Sequence, residues 1–254
     1  MKIALMRRVS ENISDCEITT ISRSPIDPET AKRQHSNYAR VLSDLGYQLH
    51  MLDADDSLPD SVFVEDTAVV LDEFAVITRP GAASRRKETK AVAEALSYYK
   101  DLEFIGDSGT LDGGDVLRIA KTLYVGKSCR SSAVGIGRLR DLVKHHGYRV
   151  RAVPVDGCLH LRSAVSRLQD NRILLNPQWV DPKDFEDVEV VTAEPSEPYG
   201  ANVLSLQEGV VCSTSFPRTI QMLRDQGLQV HTVDISELAK AEGNISCCCI
   251  VFPI

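Results

Sequence analysis

The feature that most constrains this chain is a recurrence: the order hairpin, helix, strand comes round repeatedly along its 254 residues. One copy has apolar, β-branched runs at 62–64 and 68–71 answered by 75–78 after Asp72-Glu73, then helical spacing of Val92, Leu96 and Tyr99 over 84–99, then a short strand at 102–105. A second has strands at 115–119 and 122–125, a helix through Ile136, Leu139 and Val143 that stops at Gly147, and a strand at 148–153. A third pairs 159–165 with 172–175, followed by a poor helix near 182–185 and a strand at 188–191. The fourth runs from 202–206 and 210–212 through a helix ending at Gly227 to a strand at 229–233. Gly147 and Gly227 both stand where a helix wants a left-handed residue. The fifth is split: its helix (28–45) and last strand (47–52) lie near the N-terminus, and its hairpin pairs residues 2–6 with the C-terminal strand. Copies begin near 62, 115, 159, 202 and 246, a spacing of roughly 43 to 53 residues that signals radial or solenoidal repetition. Because the last copy needs both chain ends, a closed α/β ring fits better than an open solenoid with exposed edges. No Pro-, Gly- or Ser-rich linker interrupts the pattern, so residues 1–254 are expected to form a single domain, with its site on the pseudo-axis.

The closing strand, read as 245–252, carries Cys247, Cys248 and Cys249 in a row. On a strand, alternation turns Cys247 and Cys249 one way with Val251, and Cys248 the other way with Ile250 and Phe252. Free cysteine usually packs as a small buried hydrophobe. Adjacent thiols also lack the turn that tetrahedral metal sites use, so no metal is expected. Seven cysteines in a chain too long to need staples are expected to stay reduced.

A net charge of −7 without any basic run argues against a nucleic-acid partner and suits a small cationic ligand. The first residues are too briefly apolar for a signal peptide, and no run approaches the ~18 apolar residues of a membrane span. The expected location is the cytoplasm, with no membrane partner.

Residues 58–66 end an otherwise apolar strand with Glu65 and Asp66, carboxylates that a half-buried strand tolerates only beside a cation. That cation is either internal, with Arg79 and the Arg85-Arg86 pair nearest in sequence, or a ligand, for which a guanidinium's planar donor fork fits best. The run 109–115, dense in glycine and aspartate, matches no phosphate loop and reads as a hairpin turn. His160 alternates with apolar neighbours on the third hairpin, where a satisfied core histidine is the ordinary reading. His145-His146 closes a helix and reads as a solvated end.

Taken together, residues 58–66, 78–88, 110–117, 159–161 and 246–248 resemble the dimethylarginine dimethylaminohydrolases, within the guanidino-group-modifying (pentein) superfamily. The similarity runs through nearly the whole chain and implies a five-bladed α/β propeller. It further implies that Cys247 is a nucleophile, that His160 is a general acid and base, and that Asp112 orients the histidine. It assigns Asp60, Glu65 and Asp66 to a substrate guanidinium, Arg85 and Arg130 to its α-carboxylate, and Ile18 and Ala241 to backbone contacts with the amino-acid end. Asn244 and Ser131-Ser132 depart from the family's commoner residues at that end.

The implied reaction is hydrolysis of Nω-methylated arginine (asymmetric dimethylarginine, monomethylarginine) to citrulline and a methylamine, with no cofactor. Carboxylates hold the substrate cation, the cation favours the Cys247 thiolate, and His160 protonates the departing amine and then activates water. The same groups would serve an arginine deiminase or a hydrolase of another N-substituted guanidino compound, and the same ring serves a non-catalytic ribosome anti-association factor. For a methylated substrate, Phe63 is the candidate apolar wall. A homodimer stays open.

Overall fold

Alternation explains why each copy forms a wedge of a ring. A computed structural model describes residues 1–169 and 171–254, and among these fifteen strands form five three-stranded sheets. The split copy contains β1 (Lys2–Arg7) and β2 (Gln48–Leu52), with helix α1 (Pro28–Asp44) between them. Then come β3 (Ala68–Val70), β4 (Phe74–Ile77), α2 (Thr89–Leu96) and β5 (Asp101–Phe104), followed by β6 (Val116–Ile119), β7 (Thr122–Lys127), α3 (Ala133–Val143) and β8 (Arg149–Pro154). The fourth sheet has α4 (Leu161–Ala164), β9 (Val165–Arg167), β10 (Arg172–Leu175) and β11 (Glu189–Thr192). The fifth has β12 (Leu204–Leu206), β13 (Gly209–Ser213), α5 (Pro217–Asp225) and β14 (Val230–Val233); α6 (Ser236–Ala239) and β15 (Ile250–Pro253) follow. In every sheet the middle strand pairs antiparallel with one neighbour and parallel with the strand that returns after the connecting segment.

Each middle strand is apolar on both faces because successive residues enter different cores. Ile3 and Leu5 of β1 pack with Ile77, Leu96 and Phe252, whereas Ala4 and Met6 pack with Leu42, Val211 and Val233. On β10, Ile173 and Leu175 join Tyr124 of one neighbour while Leu174 joins Val210 of the other. The five cores are thus five interfaces between adjacent wedges, and no wedge can bury its apolar faces alone. The ring is closed by the chain ends: β15 pairs antiparallel with β1, with Ile3 opposite Phe252 and Leu5 opposite Ile250. Gly147 and Gly227 follow their helices at φ +76° and +81°, as the helix ends demand.

Four sequence expectations are corrected at one place in the repeat, and two more in its helices. Residues 62–64, 159–164 and 245–249 are not strand, and 109–115 is not a hairpin turn. The chain instead makes a short helical turn ahead of each outgoing strand: Val64–Thr67, Gly113–Asp115, Leu161–Ala164, Pro198–Ala201 and Ser246–Cys248. Local bonds divert these backbones from the ladder, as with the Thr67 hydroxyl donating to the Val64 carbonyl (2.7 Å) and the Cys247 amide donating to the Asn244 carbonyl (3.2 Å). Consequently strand alternation does not apply to the cysteines. Cys249 turns toward the Tyr38 hydroxyl at 3.2 Å, and Cys247 turns elsewhere. The helix expected over 84–99 is α-helical only as α2; Ala83–Glu88 is a 3₁₀ turn, whose three-residue period stacks Arg85 on Glu88. The poor helix near 182–185 is likewise a single 3₁₀ turn, Pro182–Asp184.

Leu5 is fully buried where the ring closes. Leu5→Ala should cost about 2–5 kcal/mol in denaturant unfolding, whereas Val134→Ala, at an exposed position, should stay within about 0.5 kcal/mol.

Candidate active site

The five turns lie across the ring's axis, and one side of them forms a narrow cleft. It is lined by Asp60, Phe63, Asp66, Arg85, Arg130, Leu159, His160, Ala241, Gly243 and Cys247, with Glu17 and Glu242 at its rim. Cys247 comes from the turn Ser246–Cys248, Asp66 from Val64–Thr67, and His160 from the residue that opens α4. Each is at least nine-tenths buried.

His160 is held from both sides. Its Nε2 lies 2.9 Å from Asp112 Oδ2, and its Nδ1 lies 3.7 Å from Asp66 Oδ1. Burial alone would pull the imidazole pKa down, but Asp66, Asp112 and Asp115 hold it up to about 10, so the ring is a cation at neutral pH. Asp112 is fixed in turn: its Oδ1 accepts from the Gly81 amide at 2.7 Å, and its own amide donates to the Ser131 hydroxyl. Asp66 accepts from the Gly114 amide (3.1 Å) and from the Arg85 guanidinium. Burial opposes ionisation of Asp66, but His160 and Arg85 outweigh it and leave the carboxyl below its usual pKa.

The acidic pair is answered by two internal cations, Arg85 for Asp66 and Arg162 for Glu65. The Nε and Nη2 of Arg85 donate to Glu88, its Nη1 to Asp66, and Nη2 also to the Phe63 carbonyl, which leaves little of the fork unspent. Arg130 differs. One Nη donates to the Thr19 hydroxyl at 2.7 Å, and the other is buried with no hydrogen-bond partner among the described residues. Asp60 accepts from the Glu17 amide, and its pKa is raised by burial.

Two residues expected at the site lie to one side of it. Glu65 points through the floor: its carboxylate accepts from the Ser246 hydroxyl (2.8 Å) and lies 3.6 Å from Arg162, with its pKa raised by burial against that arginine's pull. Ile18 packs on the core between the fifth wedge and β1, and it is its neighbour Glu17 that reaches the cleft. Ala241 and Phe63 line the cleft as expected.

The nucleophile candidate is guarded by its own surroundings. Burial, and then Glu65 and Asp66, push the Cys247 thiol well above its usual pKa. A cation seated beside it would pull that value down. The cleft's charge favours one: Glu17, Asp60, Asp66 and Glu242 face two guanidiniums and the His160 imidazolium. Asp66, Asp112 and His160 could also surround a metal, since their ligand atoms lie within 4.8 Å of one another. Yet every carboxylate oxygen of that trio already faces a donor or the imidazole, so the group reads as a charge relay for the histidine.

Several supporting residues escaped the sequence reading. A Cβ on Gly114 would sit 2.5 Å from Asp66 and 2.9 Å from the His160 ring, and one on Gly243 would meet the Phe63 ring at 2.2 Å. The glycine-rich run is thus a close approach of backbone to site. Asp115, fully buried, accepts from the hydroxyls of Ser128 and Ser131 and from the Leu161 amide, tying the Arg130 loop to the His160 turn. Asn202 brackets Ser246 with two hydrogen bonds, one residue before Cys247. Only the Gly113-Gly114 pair between two aspartates carried a visible signal.

Because the folded His160 pKa is raised, its contribution to stability is complete below about pH 6.5 and is lost as pH rises toward 10. Over that window wild-type unfolding free energy should fall relative to His160→Gln by up to about 1.4 kcal/mol per pH unit. Urea unfolding of both proteins at several pH values measures it, and parallel profiles would remove the imidazolium.

Residues 19–253 match a family model described as N,N dimethylarginine dimethylhydrolase, eukaryotic. An N(G),N(G)-dimethylarginine dimethylaminohydrolase of Streptomyces coelicolor is 39% identical over 97% of this chain and 95% of that protein. A Pseudomonas aeruginosa protein of the same name is 34% identical over 87% of this chain and 88% of its own. A solved Pseudomonas aeruginosa structure complexed with citrulline superposes with a TM-score of 0.94 at 30% identity, over 98% of each chain.

Proposed function

The chain belongs to the dimethylarginine dimethylaminohydrolase family, and we propose from that membership that it hydrolyses Nω-methylated arginine to citrulline and a methylamine, with Cys247 as nucleophile. The single observation that carries the reading is the cleft in which Cys247 faces a histidine held between Asp112 and Asp66. The citrulline bound by the Pseudomonas relative is the product such a site would release.

A substrate guanidinium is a cation at neutral pH and seats against Asp66 and Asp60, with Arg130's unspent N–H turned to its α-carboxylate. Arg85 keeps Asp66 ionised and placed, and Glu65 sets the field behind the thiol. The bound cation lowers the Cys247 pKa, and the thiolate attacks the guanidino carbon. The amine leaves the tetrahedral adduct only as a neutral molecule, so His160, already an imidazolium, gives it a proton as the carbon–nitrogen bond breaks. The remaining thiouronium is attacked by water, one of whose protons His160 takes; the carbon–sulfur bond then breaks as the adduct's hydroxyl proton passes to solvent, and the ureido product and thiolate separate. The chemistry asks for no metal or organic cofactor.

Cys249 takes no part in this scheme, since its thiol faces Tyr38. Cys247→Ser should therefore abolish citrulline formation while Cys249→Ser keeps most of it, and equal losses would remove the assignment. Substrate choice rests on shape, because thiolate, histidine and carboxylates serve methylated and unmodified arginine alike. Phe63, packed on Gly243 in the cleft wall, offers apolar surface to N-methyl groups. Steady-state kinetics should accordingly give a higher kcat/KM for asymmetric dimethylarginine than for arginine. The reverse order would make the protein an arginine deiminase with the same mechanism.

A further inference from the structure

The five turns that close the axis have a second side. Opposite the cleft the ring opens into a cavity of about 390 Å³ between the first strands of the blades. Much of its wall is apolar, from residues such as Val70, Leu117 and Leu204. Three arginines also line it, and among the described lining residues the carboxylate is Glu65 alone. Arg118 spends its guanidinium on Asp72. Arg162 and Arg167 are not so spent. Arg162 stands 3.6 Å from Glu65, beyond hydrogen-bond range, and its Nε is buried with no acceptor among the described residues. Arg167, on β9, is exposed, and its guanidinium has no ion pair or hydrogen-bond partner among the described residues.

The sequence places both cations here for one reason. The turn that delivers His160 to the cleft carries Arg162 out on its other side, and the strand that continues it carries Arg167 along the same wall. Glu65, the facing carboxylate among the described lining residues, already accepts from Ser246. The result is a concave, partly apolar pocket with excess positive charge and unspent planar donors, which is what oxyanion recognition requires.

We propose that this axial cavity is a binding site for a small multivalent oxyanion, held by Arg162 and Arg167, and that its occupancy is felt by Cys247 through Glu65 and Ser246. Glu65 is the shared element: it faces Arg162 on the cavity side and accepts from the serine that precedes the nucleophile. Arg162 favours the thiolate by its charge, and an anion paired with it cancels that help. A filled cavity therefore slows reactions of the thiolate at fixed pH. This second half rests on Cys247 being the nucleophile; the binding site itself does not.

Inorganic pyrophosphate is a suitable probe, titrated into the intact protein by calorimetry with ionic strength held constant by potassium chloride. The expected result is saturable one-to-one binding, weakened at least tenfold by Arg167→Ala, a variant that keeps wild-type turnover without the probe. Saturating pyrophosphate should slow iodoacetamide labelling of Cys247 several-fold in the wild type and leave the variant's labelling rate unchanged. Absence of saturable binding, equal binding by Arg167→Ala, or displacement by citrulline, which would put the anion on Arg130 in the cleft, overturns the site. Binding with an unchanged labelling rate overturns the coupling. Citrulline formation from asymmetric dimethylarginine is measured separately, so failure of the catalytic reading and failure of this site are distinguishable.

Discussion

A ring of five wedges leaves its axis open, and the structure depends on how that axis is closed. Five short helical turns, one ahead of each outgoing strand, meet there and divide a catalytic-type cleft from an axial cavity. Turns suit this place better than strands. In a 3₁₀ or α-helical turn successive side chains diverge by roughly 100–120° instead of alternating across a sheet, so nearby residues serve the floor's opposite sides. Asp66 faces the cleft while Glu65 faces the cavity, and His160 and Arg162 divide in the same way.

Burying that many charges would be ruinous unless each were answered. The structure shares them: Asp66 is held by Arg85, the Gly114 amide and the imidazole, while Glu88 takes the rest of the Arg85 fork. Glu88 shows the strain of the arrangement, its pKa pushed up to about 7 by burial against Arg85's pull. The surplus negative charge that remains is useful. It keeps His160 an imidazolium and the Cys247 thiol protonated, which on the proposed mechanism reserves the thiolate and the full use of Asp66 for the moment a cation arrives.

Much of this was legible in the sequence, and the rest was hidden for physical reasons. Middle strands such as β1 and β10 are apolar on both faces because each face enters a different core, and that run of apolar residues is what betrayed the repeat. The split copy was legible because residues 2–6, the helix at 28–45 and the strand at 47–52 keep the order of the other copies once the C-terminal strand completes the hairpin. The turns were not. A short apolar run such as Val62-Phe63-Val64 fits strand and turn alike, and what decides is contact between distant residues, such as Asn202 with Ser246, 44 positions away. The same holds for the site. Cys247, His160, Asp66 and Asp112 came from a family resemblance and do converge, whereas Gly114's role depends on how close the His160 ring comes, and Asp115's on Ser128 and Ser131. The extended reading of the three cysteines set Cys247 and Cys249 on one face; the turn separates them.

The central claim is that charge on the axial floor reserves one thiol of three for attack on a guanidinium. The direct measurement is acid quenching of the protein during turnover of asymmetric dimethylarginine, followed by digestion and tandem mass spectrometry of the peptide spanning residues 241–254. The account predicts a covalent amidino adduct on Cys247 and none on Cys248 or Cys249. An adduct on either neighbouring thiol during that turnover would contradict it.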